Sequence, residues 1–83
     1  MELKGVVHDI LNIQEVNDKF SKQTVILKTV GEHPQYIPID FINKNIRLVD
    51  TLMPSQQITV HINLNGKEYN GKYFVSVIGW KVE

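Results

Sequence analysis

Lysines and aromatic residues alternate in one short stretch near the C-terminal end of the sequence. Lys67, Tyr69, Lys72 and Phe74 all lie within ten positions that begin at Asn65. Ammonium groups neutralise phosphates and flat rings stack on unpaired bases, so this combination suits contact with single-stranded nucleic acid. A solvated turn that keeps a protein soluble has the same composition. The choice between these interpretations depends on the rest of the chain.

Two Asn-Gly pairs predict that this stretch forms a β-hairpin. Asn65-Gly66 and Asn70-Gly71 are strong hairpin signals because both residue types tolerate positive φ. The flanking segments, residues 56–64 and 73–82, alternate or are rich in β-branched residues and predict strands. We therefore expect a projecting β-hairpin with its tip between Asn65 and Phe74. The last strand is apolar on both faces, which predicts that it is covered on both sides for part of its length.

Three more strands and one short helix are predicted before the hairpin. The first strand, residues 2–13, breaks its alternation and holds an early Gly5, which indicates a long, bent strand that serves two sheet edges. A helix is the alternative there, but β-branched residues and a missing N-cap disfavour it. A polar loop, residues 14–19, follows. The remaining elements are strands over residues 20–30 and 35–42, and a helix over 44–52 capped by Asn43 and ended by Pro54.

Alternation assigns the faces of the second and third predicted strands. Val25 and Leu27 face the core, which leaves Phe20, Lys22 and Lys28 on the outer face. In the third strand Ile37, Ile39 and Phe41 form the core stripe, and Tyr36 points outward with Pro38, Asp40 and Ile42. An exposed face that is both apolar and basic either binds a ligand or is covered by a partner subunit.

The order of elements predicts an all-β fold. Three strands, a short helix and two strands, with a long bent first strand, are typical of the five-stranded OB barrel. An SH3-like barrel is the alternative, but it usually lacks the helix. With 83 residues the chain is expected to form a single OB-fold domain over residues 1–83.

Several segments also resemble a known family. They are the opening Met1-Glu2-Leu3-Lys4-Gly5-Val6-Val7, the Lys22-Gln23 pair, and Lys67 to Phe74 together with Trp80-Lys81-Val82-Glu83. These resemble a short OB-fold family of bacteria and phages, a domain of unknown function that is similar to single-stranded DNA-binding proteins. The chain departs from the family pattern at Ile42, where relatives often have tryptophan, and at Tyr36-Ile37-Pro38, which replaces a more basic stretch.

OB barrels bind oligonucleotides across their second and third strands, between the loop that joins strands one and two and the loop that joins strands four and five. On this basis the expected nucleic-acid-binding residues are Phe20, Lys22, Lys28, Tyr36, Lys67, Tyr69, Lys72 and Phe74. Structural roles compete with this assignment. Phe20 and Tyr36 can form a cross-strand pair, and Phe74 and Trp80 can serve packing or a dimer interface.

Composition excludes several classes of function. The formal net charge is zero, which is unusual for a nucleic-acid-binding domain, although Lys19, Lys22 and Lys28 share a segment without acidic residues. Cysteine is absent, the three histidines lack ligand spacing, and no nucleophile or phosphate-loop motif occurs. We therefore expect no enzyme activity, no metal, no cofactor and no small-molecule substrate. No apolar run suggests a membrane span or a signal peptide, so a cytoplasmic location is expected.

The sequence thus predicts a sequence-tolerant protein that binds single-stranded DNA and acts in replication, recombination or repair. RNA remains open as the ligand because stacking platforms serve both nucleic acids. A homo-oligomer, a dimer first, is expected. The rival hypothesis is a protein-interaction or assembly module, such as a phage or replication accessory subunit, that docks through Ile78, Trp80 and Val82 on the terminal strand.

Overall fold

The computed structural model describes residues 1–83 and contains six strands and one 3₁₀ helix. In chain order these are β1 Glu2–Ile10, β2 Gln14–Asn17, β3 Phe20–Thr29, β4 Tyr36–Ile42, the 3₁₀ helix Asn43–Thr51, β5 Gln57–Tyr69 and β6 Lys72–Val82.

Strand β1 belongs to two sheet edges, as its irregular alternation predicts. Its first half pairs with β5 and its second half with β3, both antiparallel. Gly5 lies where the two pairings overlap, and a Cβ there would collide with the backbone carbonyl of Lys28. The pairing with β3 shifts register between Val7 and Asp9, which is the predicted bulge. The strand ends at Ile10, three residues earlier than predicted.

Strand β6 closes the ring. It pairs with β5 along its length and meets β4 in parallel orientation at the Asp40–Ile78 position. The closed order is therefore β1-β3-β4-β6-β5, and β2 pairs with the start of β3 on the edge that β1 uses further along that strand. The prediction of a loop over residues 14–19 is wrong at β2. This strand has four residues, all exposed, so only its main-chain pairing with β3 defines it and no hydrophobic pattern announces it.

The core is built from the stripes that alternation predicts in β3, β4 and β5. Its buried side chains are Val7, Val25, Leu27, Ile39, Phe41, Val49, Leu52, Ile58, Val60 and Ile62. Gly79 lets β6 approach the core, because a Cβ at that position would lie 2.7 Å from Phe41 ring carbons. The barrel interior is thus filled by side chains, and ligand contact is left to the outer surface.

The predicted short helix exists, but its start differs from the prediction. The residue that precedes it is Ile42, and no side chain caps it. Asn43 is instead the first helical residue, at φ 50°, and its Oδ1 accepts a hydrogen bond from the backbone N–H of Ser21 at 2.9 Å. Asn43 therefore ties the helix to the start of β3. Val49 and Leu52 bury the helix against the barrel.

The β5–β6 hairpin is longer than predicted. Its turn is Asn70-Gly71, with φ of 50° and 77°, while Asn65-Gly66 continues strand β5. The prediction of a turn that starts at Asn65 is therefore wrong. Since β1 pairs only with the first residues of β5, the hairpin continues beyond the barrel with both faces uncovered. Val75 is accordingly 72% exposed, so the cover predicted for part of β6 does not extend to this half of the strand.

Candidate nucleic-acid interface

A groove of about 560 Å³ lies between the outer face of the barrel and the projecting hairpin. Strands β2, β3 and β4 form one side, and β5 and β6 form the other. The lining residues are Val16, Phe20, Lys22, Asp40, Ile42, Asn65, Lys67, Tyr69, Phe74, Ser76 and Ile78. We call this the hairpin groove.

Register explains why hairpin residues of both strands reach the groove. Lys67 pairs directly with Phe74, and Tyr69 pairs with Lys72. Directly opposed residues in antiparallel strands share a face, and residues two apart share it too. These four side chains therefore lie on one face of the hairpin. Lys67, Tyr69 and Phe74 line the groove, and Lys72 lies beside Tyr69 at the tip.

The barrel wall contributes the start of β3 and the end of β4. Phe20 and Lys22 lie on the outer face of β3, and Lys22 pairs with Ile42 of β4. Both have partly buried side chains, so they are held more firmly than the hairpin rings. The groove thus has one packed wall and one extended wall that carries Tyr69 and Phe74, which are 68% and 53% exposed.

A single acidic residue lines the groove floor. Asp40 lies on the outer face of β4 opposite Thr24, and its Oδ1 accepts a hydrogen bond of 2.6 Å from the Thr24 hydroxyl. Ile42 precedes the helix on the same face, and Ile78 meets Asp40 at the β4–β6 closure. The floor is therefore partly apolar with one carboxylate, while Lys22 and Lys67 stand on opposite walls.

Two of the predicted residues lie elsewhere. Lys28 and Tyr36 pair with each other at the opposite end of β3 and β4. The Lys28 Nζ lies 5.7 Å from the centroid of the Tyr36 ring, and the His8 ring packs edge-on against that ring at 4.9 Å between centroids. This geometry allows a cation–π contact. The possible cross-strand pair of Phe20 and Tyr36 does not form, because Phe20 pairs with Asn17 instead.

Six groove residues were not predicted: Val16, Asp40, Ile42, Asn65, Ser76 and Ile78. Alternation places Asp40 and Ile42 on the outer face of the third predicted strand, so the sequence does indicate that these two residues face outward. Val16 depends on strand β2, which no pattern in the sequence indicates, and the Asn-Gly signal at Asn65 predicts a turn there. Ser76 and Ile78 follow from Phe74 by the two-residue period of β6.

A second polar cluster lies away from the groove. Candidate ligand atoms of Glu2, His61 and Glu83 lie within 4.8 Å of one another, although histidine spacing in the sequence predicts no metal site. His61 Nε2 is 3.3 Å from a carboxylate oxygen of Glu83, and the Trp80 ring packs at 5.2 Å from the His61 ring. Hydrogen bonding and charge attraction by His61 lower the pKa of Glu83 below its ordinary value, with a further contribution from Lys81. Trp80 thus contacts His61 and does not line the groove.

A smaller cavity of about 360 Å³ is lined by residues that include Lys4, Thr59 and Glu83. It contains none of the predicted binding residues. Among the helical segments, none is long and apolar enough to span a membrane.

The closed ring of five strands, the helix between β4 and β5 and the groove on the outer face define an OB fold, as the order of elements predicts. A solved structure with this fold is the dimeric N-terminal domain of PriB protein from Thermoanaerobacter tencongensis, with a TM-score of 0.72 and 20% sequence identity. The similarity covers 100% of this chain and 91% of that one.

The chain belongs to the family described as a domain of unknown function, DUF3127, which matches residues 2–83. The predicted resemblance to a short OB-fold family is therefore confirmed. No curated protein matches the sequence.

Proposed function

We propose that this protein binds single-stranded DNA in the hairpin groove and does so without enzymatic activity. The observation that carries the proposal is that Phe20, Lys22, Lys67, Tyr69 and Phe74 converge on one open groove. Rings that are exposed beside ammonium groups are the elements of sequence-tolerant single-strand binding. Although the net charge is zero, Lys22 and Lys67 stand on opposite walls of the groove and Lys72 lies beside Tyr69 at the tip, so positive charge is present where phosphates would pass.

The binding mode follows from the positions of these side chains. Tyr69 and Phe74 offer rings on the hairpin wall, and Phe20 offers one on the barrel wall. Bases that stack on these rings would leave the sugar-phosphate backbone near Lys22, Lys67 and Lys72. Stacking contributes roughly 1–3 kcal/mol per base, so three rings supply about 3–9 kcal/mol. Micromolar affinity requires about 8 kcal/mol, and phosphate contacts by the lysines supply the remainder. The oligonucleotide would therefore occupy the groove with its bases turned inward.

A titration tests this directly. A labelled mixed-sequence single strand of about 12 nucleotides, within the range of OB-fold site sizes, is followed by fluorescence anisotropy at low salt. The extrinsic label is preferable to tryptophan emission because Trp80 contacts His61 outside the groove. We expect a micromolar dissociation constant and much weaker binding of the duplex. Absence of binding with protein at tens of micromolar would end the proposal. The matched RNA strand, titrated in parallel, decides between the two nucleic acids.

A second candidate function, assembly, has its own supporting observation. The hairpin face opposite the groove exposes Leu64, Tyr73 and Val75, at 55%, 78% and 72%. Such a patch on a two-stranded ribbon suits a second copy of the chain, and the similar PriB domain is dimeric. We propose a homodimer through this face, which leaves the groove free. In sedimentation experiments Val75→Lys should shift the dimer towards monomer, while Lys67→Glu on the groove face should not.

These proposals assign the chain to DNA replication, recombination or repair in the cytoplasm, as one domain over residues 1–83. A strain that lacks the protein should then show sensitivity to agents that stall replication forks, and normal growth under such agents would contradict the assignment.

A further inference from the structure

Asp40 is an acidic residue in a groove that otherwise suits a polyanion. Its side chain lines the floor, and one carboxylate oxygen accepts the hydrogen bond from Thr24. Its other oxygen makes no hydrogen bond within the protein. The ion pairs of the molecule involve only Glu2, His61, Lys81 and Glu83, so no cationic side chain lies within 4.0 Å of Asp40.

The carboxylate has no evident role in the fold. A neutral asparagine at this position would keep the contact with Thr24, because its carbonyl oxygen also accepts a hydroxyl proton. A negative charge on the floor, however, repels phosphates and leaves the lysine-bearing walls as the favoured path for the backbone. It therefore orients the strand with its bases towards the floor.

A base that reaches this floor meets a hydrogen-bond acceptor. Guanine presents two adjacent donors on its Watson–Crick edge, N1–H and the exocyclic N2 amino group. These match the two oxygens of a carboxylate, since the Asp40 oxygen that accepts from Thr24 keeps a second lone pair. Thymine presents one N–H between two carbonyl oxygens, and these oxygens repel a carboxylate. Adenine and cytosine each offer an amino group beside a ring-nitrogen acceptor. Their affinity for the carboxylate is therefore expected to lie between those of guanine and thymine.

We infer that Asp40 reads the edge of one base and gives the groove a preference for guanine over thymine, superimposed on sequence-tolerant stacking. This inference rests on the proposed function, and it adds a specificity-determining residue to the groove. The preference arises from hydrogen bonding to a single base, so it should be modest. A bidentate contact of this type discriminates by roughly 1–3 kcal/mol, so at least about a fivefold difference in dissociation constant is expected.

The test compares three labelled strands of about 12 nucleotides by anisotropy. One is all thymine, one carries two separated guanines, and one carries two hypoxanthines in place of those guanines. Isolated guanines avoid quadruplexes, and hypoxanthine keeps the fused ring and N1–H but lacks the amino group. We expect the guanine strand to bind at least about fivefold more tightly than the thymine strand, with the hypoxanthine strand in between.

Asp40→Asn provides the matched variant, since it preserves size and the Thr24 contact but removes the charge. A far-UV circular-dichroism spectrum that matches the wild type shows that the variant is folded. For this variant the dissociation constants of the guanine and thymine strands should differ by no more than about twofold. Equal binding of all three strands by the wild type, or an unchanged preference in Asp40→Asn, would overturn the inference while leaving single-strand binding intact. Failure of every strand to bind would instead remove the proposed function.

Discussion

Replacing Tyr69 by alanine isolates base stacking on the hairpin from the other contributions to binding. The ring is 68% exposed and lines the groove, so its removal leaves the core untouched. Exposed substitutions of this kind usually change the free energy of unfolding by no more than about 0.5 kcal/mol. Any large loss of affinity therefore reports on the lost contact with the ligand.

The expected magnitude follows from the value of one stacked base. Removing an aromatic platform costs roughly 1–3 kcal/mol, which corresponds to a dissociation constant about 5- to 150-fold higher. Because this ring belongs to a projecting hairpin and not to the packed wall, we expect the lower part of that range. Combining Tyr69→Ala with Lys72→Ala also removes the neighbouring charge, so the double variant should bind the strand more weakly than Tyr69→Ala alone.

Tyr73→Ala is the matched control. Tyr73 has the same side chain on the same hairpin, but it pairs with Glu68 on the opposite face and is 78% exposed. Anisotropy titrations should give wild-type affinity for this control and for Tyr69→Phe, which keeps the ring and loses the hydroxyl. The stacking mechanism is refuted if Tyr69→Ala stays within twofold of wild type, or if Tyr73→Ala weakens binding equally.

Three further predictions concern salt, packing and pH. If Lys22, Lys67 and Lys72 contact phosphates, a plot of the logarithm of the binding constant against the logarithm of the salt concentration should have a slope of about −2. Lys67→Gln should make this slope shallower by about 0.7. An affinity that does not depend on salt would exclude these contacts. Gly79→Ala should lower the free energy of unfolding in urea by about 1–3 kcal/mol, because its Cβ would lie 2.7 Å from the Phe41 ring; an unchanged urea midpoint contradicts this packing. Contacts with His61 and Lys81 lower the pKa of Glu83 in the folded protein, so its stabilising contribution is present above the ordinary pKa of a glutamate and is lost as the pH falls through the folded value. The difference in stability between wild type and Glu83→Gln should therefore vanish in acid, and a constant difference at all pH values would contradict it.

The fold was largely predictable because its core strands have strong alternation. Val25, Leu27, Ile39 and Phe41 are buried as their spacing predicts. Gly5 marks the strand crossing correctly. Strand β2 was missed because a short, fully exposed strand has no buried face, and its existence depends on main-chain pairing with β3.

The hairpin shows where local signals stop being sufficient. Two Asn-Gly pairs compete for the turn, and only Asn70-Gly71 forms it, because pairing of β5 with β6 continues through Gly66. Apolar residues on both faces of β6 predict cover for part of the strand, and they do not show that Val75 lies beyond the end of the barrel, where it is exposed. The length by which a hairpin extends past its barrel is a tertiary property that alternation does not encode.

The sequence predicts only part of the candidate site, because it does not show how far the hairpin extends along the barrel. Phe20, Lys22, Lys67, Tyr69 and Phe74 share the groove because the faces of two distant hairpins meet. Lys28 and Tyr36 lie on the same outer face as Lys22, but several residues further along, where the hairpin does not reach. Face assignments are therefore recoverable from sequence, whereas the position of the ligand along that face requires the fold.

Chemical-shift mapping with a short single strand tests the location of the ligand most directly. Upon titration, backbone amide resonances of Lys22, Asp40, Tyr69 and Phe74 should shift together and saturate. Those of Trp80 and Lys81, and of Lys28 at the far end of β3, should stay in place. Shifts confined to the opposite hairpin face, around Leu64 and Val75, or the absence of any saturable shift, would contradict binding in the hairpin groove.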